Sequence, residues 1–180
     1  LGVDLLSVAG HKLYGPKGVG ALYVRQGTPI APVLVGAGQE RGLRPGTENV
    51  ASIVGLGAAA ELLAIEPVRQ QELREQLWKG LSTVIPDLVR VSPEENCLPN
   101  TLMVAVPGRI GSDILDAADS VAASTGSACH SGVHTPAQTL LEMGIEPDTA
   151  LGALRLSLGR STTEEDIRTV IDALTSVLAR

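Results

Sequence analysis

The sequence predicts an α/β fold, because short apolar runs typical of strands alternate with longer segments typical of helices. Val3 to Val8 reads as a buried strand, and Ala21 to Val24 as a second short one. Thr101 to Val106 and Ala153 to Leu158 read as strands of another unit. With 180 residues, 44% of them hydrophobic, the chain can fill one large core or two smaller ones.

Two helices are predicted between these strand pairs. Asn49 suits the N-cap of a helix that runs to about Ile65, and the apolar residues around all its sides predict burial. Pro67 suits the first turn of the next helix. That second helix carries a one-sided apolar stripe, made of Leu73, Leu77, Leu81 and Val84.

Two more helices are predicted in the second half of the chain. The first runs from about Ser112 to Ala118, between the later strands. In the last helix, Thr162 and Glu165 predict a capping box. One apolar face follows it, made of Ile167, Val170, Ile171, Leu174 and Leu178.

The domain organisation follows from a change in composition. The segment from Pro29 to Thr47 is rich in Pro and Gly, which predicts irregular backbone. Near Glu66 the chain changes from Gly-rich to charged, so we predict one domain over residues 1–66 and a second over 67–180. Because the chain begins at Leu1 without Met and enters strand-like sequence at once, we expect a fragment of a longer protein.

The composition argues against several classes of partner. The chain has 14 basic and 20 acidic residues, and a net charge of −6 disfavours nucleic acid or an anionic membrane as its main partner. It lacks an apolar run of about 18 residues, so we expect no membrane span. Cys97 and Cys129 lie far apart, so we expect a reducing, cytoplasmic location without a disulfide.

Lys12 is the first candidate for chemistry. It follows the first predicted strand, in Gly10-His11-Lys12, and further glycines come after it. A lysine at the end of a buried strand can be desolvated, which lowers its pKa and frees the amine for a Schiff base. Nearby glycines let backbone approach a bulky cofactor, and His11 could stack on it or relay a proton. The alternative is an ordinary exposed lysine in a loop.

Cys129 is the second candidate. Small residues surround it in STGSACHSG, which predicts an accessible thiol, and a protonated His130 would favour the thiolate. An unreactive loop cysteine is the alternative. A metal site of Cys129, His130 and His134 is disfavoured by irregular spacing and the lack of a fourth ligand. Cys97 has no polar neighbour in Asn96-Cys97-Leu98-Pro99 and reads as a packing residue.

Arg155 and the segment before the first helix are candidates for binding anions. Arg155 stands in an otherwise apolar strand, where its charge needs a partner, either a substrate carboxylate or a structural Asp or Glu. Arg160 lies nearer the last helix and could be structural. The segment from Gln39 to Asn49 offers N–H groups, a hydroxyl and arginines to a phosphate, although Thr47 and Asn49 could simply cap the helix.

Four motifs taken together resemble one family: GHKLYGPKGVGALYVR, GQERGLRPGTENV, STGSACHSG and ALRLSLGRSTTEEDI. In order and spacing they are similar to the cysteine desulfurase and selenocysteine lyase family, of the class V aminotransferase fold. The resemblance covers the chain from about Asp4 onward. It implies the C-terminal half of a pyridoxal-phosphate-dependent transferase of the aspartate aminotransferase type. Residues 1–66 would be the remnant of the large cofactor domain, and 67–180 the small C-terminal domain.

The resemblance also implies a role for each candidate. Lys12 would hold pyridoxal 5′-phosphate and move protons, with His11 beside it in the pocket, and Thr47 would reach the cofactor phosphate of the other subunit in a homodimer. Cys129 would take sulfur from L-cysteine as a persulfide, leaving L-alanine, and Arg155 would bind the substrate carboxylate. The persulfide would pass to a sulfur acceptor or an iron–sulfur cluster assembly scaffold. No metal is implied.

Three features depart from that pattern. Many cysteine desulfurases have a serine two positions before the His-Lys pair, where this chain has Ala9. His130 after Cys129, and the RLSLGRSTT segment, look closer to the selenocysteine lyase branch, so L-selenocysteine is an alternative substrate. In the family, the acidic residue that pairs with the cofactor nitrogen lies upstream of the matched region. We therefore expect the chain alone to be inactive, and a non-catalytic module that keeps only the fold is the other alternative.

Overall fold

The computed structural model describes residues 1–63, 67–125 and 134–179. Its contacts divide the chain into two compact units, Leu1–Ile65 (unit 1) and Glu66–Arg180 (unit 2). The fold is mixed α and β, as predicted, and every strand pairing among the described residues is antiparallel. The assignment of the units to a large cofactor domain and a small domain stays a prediction.

Unit 1 is built on a two-stranded ribbon and one helix. Strands β1 (Leu5–Ala9) and β2 (Gly20–Val24) pair antiparallel, with Ala9 opposite Gly20. A single 3₁₀ turn, Gly10–Leu13, follows β1 and contacts helix α1 (Val50–Leu63). The segment between β2 and α1 is irregular, as predicted, and its described residues contain one short 3₁₀ turn at Glu40–Gly42.

Both predictions of burial in unit 1 are wrong. Leu5 and Leu6 of β1 are 46% and 40% exposed, and in α1 only Ala59 is buried. The reason is that the described part of unit 1 contains no further layer that could cover the ribbon. The predicted helix start is correct, because the Asn49 side-chain oxygen accepts a hydrogen bond from the Ser52 N–H at 3.3 Å.

Unit 2 contains a three-stranded antiparallel sheet in the order β3 (Val89–Arg90), β4 (Thr101–Ala105) and β5 (Ala153–Ser157). Its helices are α2 (Pro67–Val84), α3 (Gly111–Ala117), α4 (Gln138–Glu142), α5 (Pro147–Leu151) and α6 (Glu164–Leu178).

The strand pleat divides the apolar residues of unit 2 into two clusters. The larger cluster joins β4 and β5 to α2, α3 and α6, through Leu81, Leu102, Leu154 and Leu174 among others. The smaller one joins the alternate strand positions, such as Ala105 and Ala153, to α4 and α5. Residues two apart along a strand point to the same face, so Arg155 lies on the face of the smaller cluster.

Two local predictions in unit 2 need correction. The capping box of α6 is formed by Thr163 and Asp166, one residue later than predicted, while the Thr162 hydroxyl accepts a hydrogen bond from the Gly159 N–H at 2.8 Å. Val84 does not complete the buried stripe of α2, since it is 43% exposed at the last turn. Strand β3 and the short helices α4 and α5 were not predicted, because segments this short carry little periodicity.

No single helix in the described ranges is long and apolar enough to cross a membrane. Only α1 and α2 taken together, across residues 64–66, reach the length and composition of a span.

Candidate functional site

Lys12 and His11 lie on the 3₁₀ turn that follows β1. The turn is fixed to the chain that enters β2, because the Gly10 N–H donates to the carbonyl of Val19 at 2.9 Å. Both side chains are exposed, so the prediction that Lys12 is desolvated is wrong for this chain. The Lys12 amine has no hydrogen bond or ion pair with any described residue.

The glycines around Lys12 serve mainly the packing of the chain itself. A Cβ at Gly10 would lie 2.8 Å from the Val19 carbonyl oxygen, and one at Gly20 would lie 2.6 Å from that of Val8. Any side chain at either position would therefore push the ribbon apart. Gly18 differs, since it has a φ of +95° with open space around it. At Gly10 and Gly20 the close approach is therefore to backbone of the same chain. The predicted approach of this loop to a cofactor stays a prediction.

Thr47 stands at the end of an irregular loop held by its own side chains. Arg44 Nη1 donates to the carbonyls of Gly46 at 2.7 Å and Thr47 at 3.1 Å. The Gly46 N–H donates to the Gln39 side-chain oxygen at 3.1 Å. The sequence suggested that the arginines of this segment could bind a phosphate. In the structure, Arg44 instead donates to backbone carbonyls. Its contribution is to position the residues that precede α1.

Arg155 lies next to the chain that leads toward Cys129. A backbone bridge pairs Ser124 with Arg155, and Cys129 comes five residues after Ser124. Cys129 and His130 themselves lie outside the described residues.

The environment of Arg155 differs from the prediction. Its side chain is exposed. Leu154 and Leu156 lie on the opposite face of β5, in the main cluster, and Ala153 is buried on the same face as Arg155. Its guanidinium forms no ion pair with an Asp or Glu of the described ranges, so the alternative of a structural salt bridge has no support there. Arg160 has a structural contact, since its carbonyl accepts a hydrogen bond from Arg69.

His134 has a protein partner. Its Nδ1 lies 3.1 Å from the Ser112 hydroxyl, at the start of α3. The described part of the chain contains no group of three His, Cys, Asp or Glu side chains arranged to hold a metal ion. The other two members of the disfavoured metal site, Cys129 and His130, are outside the described residues.

Comparison with known proteins places the chain in a family. The model of the family described as aminotransferase class-V matches residues 1–170. The chain belongs to the class-V aminotransferase family. A cysteine desulfurase of Gluconacetobacter diazotrophicus is 43% identical over an alignment of 184 positions, which covers 99% of this chain and 46% of that protein.

Two solved structures agree with this family. A NifS-like protein from Rickettsia africae matches with a TM-score of 0.84 and 30% identity, over 99% of this chain and 48% of its own. SspA, solved in complex with cysteine, matches with a TM-score of 0.60 and 32% identity, over 87% of this chain and 44% of its own. The predicted resemblance and fold class are confirmed.

The chain spans about half the length of the curated relatives it matches, since the covered share of the Gluconacetobacter protein is 46%. The covered share does not tell which end of the relatives this chain matches. The predicted position at the C-terminal end of the relatives stays a prediction.

This class-V aminotransferase chain also contains a charged cluster that the sequence reasoning missed. Arg74 is 1% exposed, and its Nη1 lies 2.7 Å from the Cys97 sulfur and 2.8 Å from the carbonyl of Leu98. Cys97 in turn lies 3.1 Å from the carbonyl of Pro93. The prediction that Cys97 has no polar neighbour is therefore wrong. Its partner comes from α2, which lies 23 residues away along the chain.

Glu75 supplies the negative charge of this cluster. Its carboxylate accepts hydrogen bonds from Arg90, at 2.7 and 2.8 Å, and from Arg74 at 2.7 and 3.0 Å. The hydrogen bond from Arg90 is the main cause that lowers the pKa of Glu75 below its ordinary value; burial opposes it, and Arg74 adds to the lowering. Glu75 in turn raises the pKa of Arg90. The cluster binds α2 to β3 and to the segment around Cys97.

Proposed function

We propose that this chain forms about half of a pyridoxal-phosphate-dependent cysteine desulfurase, which converts L-cysteine to L-alanine and an enzyme-bound persulfide. One observation carries the proposal: the backbone of Arg155, whose side chain is exposed, pairs with Ser124, which is five residues before Cys129 in the sequence. A carboxylate ligand and a sulfur nucleophile are the two groups that a cysteine substrate requires of its enzyme. The name of the Gluconacetobacter relative and the cysteine bound by SspA support the same substrate.

The residues of unit 1 fit pyridoxal phosphate. Lys12 offers an exposed amine that makes no hydrogen bond or ion pair with a described residue, and His11 lies beside it. Thr47 and the N–H groups before α1 suit the phosphate bound by the other subunit of a homodimer. When bound, the cofactor withdraws electrons from the substrate Cα. Lys12 would hold it and move protons at that carbon.

In the sulfur transfer, the Cys129 thiolate attacks the sulfur of the substrate. An S–S bond forms, the Cβ–S bond breaks, and its electron pair stays on Cβ, which takes up a proton. Two thiols thus give one persulfide and the methyl group of alanine, so no external oxidant or reductant is needed. Arg155 would hold the substrate carboxylate through its two-pronged guanidinium.

The persulfide on Cys129 is then available to a sulfur acceptor, such as a protein on which iron–sulfur clusters are assembled. We place this step in the cytoplasm, because a reducing compartment keeps the attacking thiol free.

The experiment replaces the matched part of the Gluconacetobacter cysteine desulfurase with this chain and measures alanine and sulfide formed from L-cysteine. Both Lys12→Ala and Cys129→Ser should abolish alanine formation. Lys17→Ala is the matched control for the lysine, since Lys17 is also exposed and lies in the same loop region. Circular dichroism checks that each variant folds. Full activity in the Cys129→Ser variant would contradict the nucleophile role.

The same hybrid distinguishes the alternatives. Selenocysteine lyase is favoured by His130, which directly follows Cys129. In that case Cys129→Ser should lose activity on L-cysteine and keep activity on L-selenocysteine. A folded hybrid that shows no cofactor absorption band and forms no alanine would instead indicate a non-catalytic module.

A further inference from the structure

Met103 stands directly opposite Arg155 in the sheet of unit 2, where the register of β4 and β5 pairs the two residues. The main-chain N–H and C=O of Arg155 are hydrogen-bonded to Ser124, on the side away from β4. Those of Met103 are bonded on the opposite side, to Val91 and Ser92. Met103 and Arg155 are therefore a non-hydrogen-bonded pair, in which the Cα atoms are typically about 4.5 Å apart and the side chains are closest.

The two side chains of this pair differ in burial. Met103 is partly buried and packs against the smaller cluster of unit 2, which includes Leu140 of α4. Arg155 is exposed. An arginine lays the methylene part of its side chain along apolar surface and keeps its guanidinium in water. The thioether of Met103 is the apolar surface that the register puts beside Arg155.

Arg155 also has no charged neighbour on its own face of the sheet. Among the described strand residues, the others that share this face are all neutral: Val89, Thr101, Met103, Ala105, Ala153 and Ser157. Arg90 and Arg168, in the same unit, each have a carboxylate partner. A neutral cross-strand neighbour leaves the charge of Arg155 available to an anion from outside the chain.

We propose that Met103 is a positioning residue for the reaction proposed above, an inference that rests on the carboxylate-binding role of Arg155. The thioether lies along the Arg155 side chain, limits the directions that the guanidinium can take, and leaves its charge unneutralised. A side chain that is already held in place loses less freedom when it binds a ligand, so the ligand binds more tightly. Arg155 touches the substrate carboxylate, and Met103 acts through Arg155.

The first test asks whether the two side chains are in contact, and it needs no enzyme activity. Met103 and Met143 are the two methionines of the chain, so isotope labelling of the methionine methyl groups gives two signals in an NMR spectrum. Arg155→Ala should shift the Met103 signal. The Met143 signal should stay in place, since Met143 is 57% exposed at the end of α4. A Met103 signal that does not respond to Arg155→Ala would overturn the proposal.

The second test measures the kinetics of the hybrid enzyme described above. Met103→Ala should raise the KM for L-cysteine about fivefold and change kcat by less than about twofold, because it loosens the group that binds the carboxylate. Met103→Leu keeps the apolar volume, so its KM should stay within about twofold of wild type. Met143→Ala is the matched control and should leave both constants unchanged.

A charged substitution at the same position gives a stronger effect for a different reason. Met103→Glu puts a carboxylate opposite the guanidinium, where it competes with the carboxylate of the substrate. The KM should rise at least about tenfold, as in Arg155→Ala, and Met143→Glu should have no effect. L-alanine and ethylamine differ only by a carboxylate, so both Met103→Glu and Met103→Ala should weaken inhibition by L-alanine and not by ethylamine.

The kinetic outcomes separate this inference from the proposed function. If Arg155→Ala raises the KM while Met103→Ala and Met103→Glu do not, Met103 only fills the smaller cluster and the positioning role is overturned alone. If Arg155→Ala leaves the KM unchanged, the carboxylate role of Arg155 is overturned and the inference with it. Equal rises in KM for Met103→Leu and Met103→Ala would also contradict it. Circular dichroism identifies a variant that fails to fold, and the methyl signals of the wild type and Arg155→Ala then decide.

Discussion

Replacing Glu75 by Gln should destabilise unit 2, because it removes the counter-charge of a buried guanidinium. Arg74 is 1% exposed, and Glu75 is the one described carboxylate within ion-pair distance of it. The variant keeps the size of the side chain but leaves the Arg74 charge unbalanced. Arg90, whose side chain is 10% exposed, loses the same partner.

The magnitude follows from the burial of the two partners. Breaking a fully buried ion pair from one side costs about 3–5 kcal/mol. The Glu75 side chain is 41% exposed, so solvent already screens part of this interaction. We therefore expect the free energy of unfolding to fall by about 2 kcal/mol at pH 7.

The pH dependence has a definite sign. The pKa of Glu75 is lowered in the folded chain, first by the hydrogen bond from Arg90. Its stabilisation is therefore complete above the unfolded-state pKa of about 4.3, and is lost as the pH falls through the lower folded-state pKa. The difference between wild type and Glu75→Gln should be full at pH 7 and should shrink below about pH 4.

Urea unfolding followed by tryptophan fluorescence measures this difference, since the single tryptophan, Trp78, lies 5.4 Å from the Arg90 guanidinium. Glu165→Gln is the control. Glu165 pairs with Arg168 at 3.0 Å with both side chains more than half exposed, so its loss should cost about 0.3 kcal/mol. Equal effects of the two substitutions at pH 7 would refute the reasoning.

Three further substitutions test a core side chain, a helix cap and a close backbone contact of unit 2 by the same unfolding assay. Leu81→Ala should cost about 3 kcal/mol, because Leu81 is 0% exposed in the main cluster; a loss below about 1 kcal/mol would contradict its place there. Thr163→Ala should cost about 1 kcal/mol by removing the cap that pairs with Asp166, and an unchanged stability would show that the cap contributes nothing. Gly152→Ala should cost about 3 kcal/mol or more, because its Cβ would strike the backbone of Val106; wild-type stability would show that this backbone yields easily.

Periodicity predicted the long elements of unit 2 well, and local hydrogen-bond chemistry was harder to place. The face of α6 was predicted from five apolar residues, and Ile167 and Leu174 are buried in the main cluster. The capping box was one residue off, because the sequence offers Thr162 and Thr163 side by side with acidic residues three positions after each. Only the backbone geometry at Thr163, with φ −112° and ψ 168°, decides between them.

Burial in unit 1 was the main failure of sequence reasoning. An apolar strand and an all-round apolar helix do indicate buried elements, yet β1 and α1 are exposed in this chain. An apolar sequence predicts burial without specifying which element supplies the cover, and no described element of unit 1 supplies it here. The Cys97 contact failed for a related reason, since its partner Arg74 comes from a distant helix and no local pattern announces it.

For the site residues, the sequence pattern predicted the strand or loop in which each lies, but not how exposed each side chain is. Exposure depends on which other elements pack nearby. The strand position of Arg155 was predicted, whereas its exposure was not, because alternation along β5 places it on the face opposite the main core. Lys12 was predicted at the end of a buried strand, and its turn is indeed attached to that strand. The Lys12 side chain is exposed, and so are the first three residues of β1.

The packing of unit 1 bears directly on the proposed role of Lys12. Ala59 is the one buried apolar residue among its described residues, whereas all the other buried apolar residues lie in unit 2. The Lys12 turn is fixed through Gly10 and Val19, which lie at the end of the same ribbon. Any opening of the exposed ribbon would release that turn, because local opening is easiest where few apolar contacts are buried. A lysine that carries a cofactor requires a fixed position, so we expect the ribbon to be closed whenever Lys12 acts in the proposed reaction.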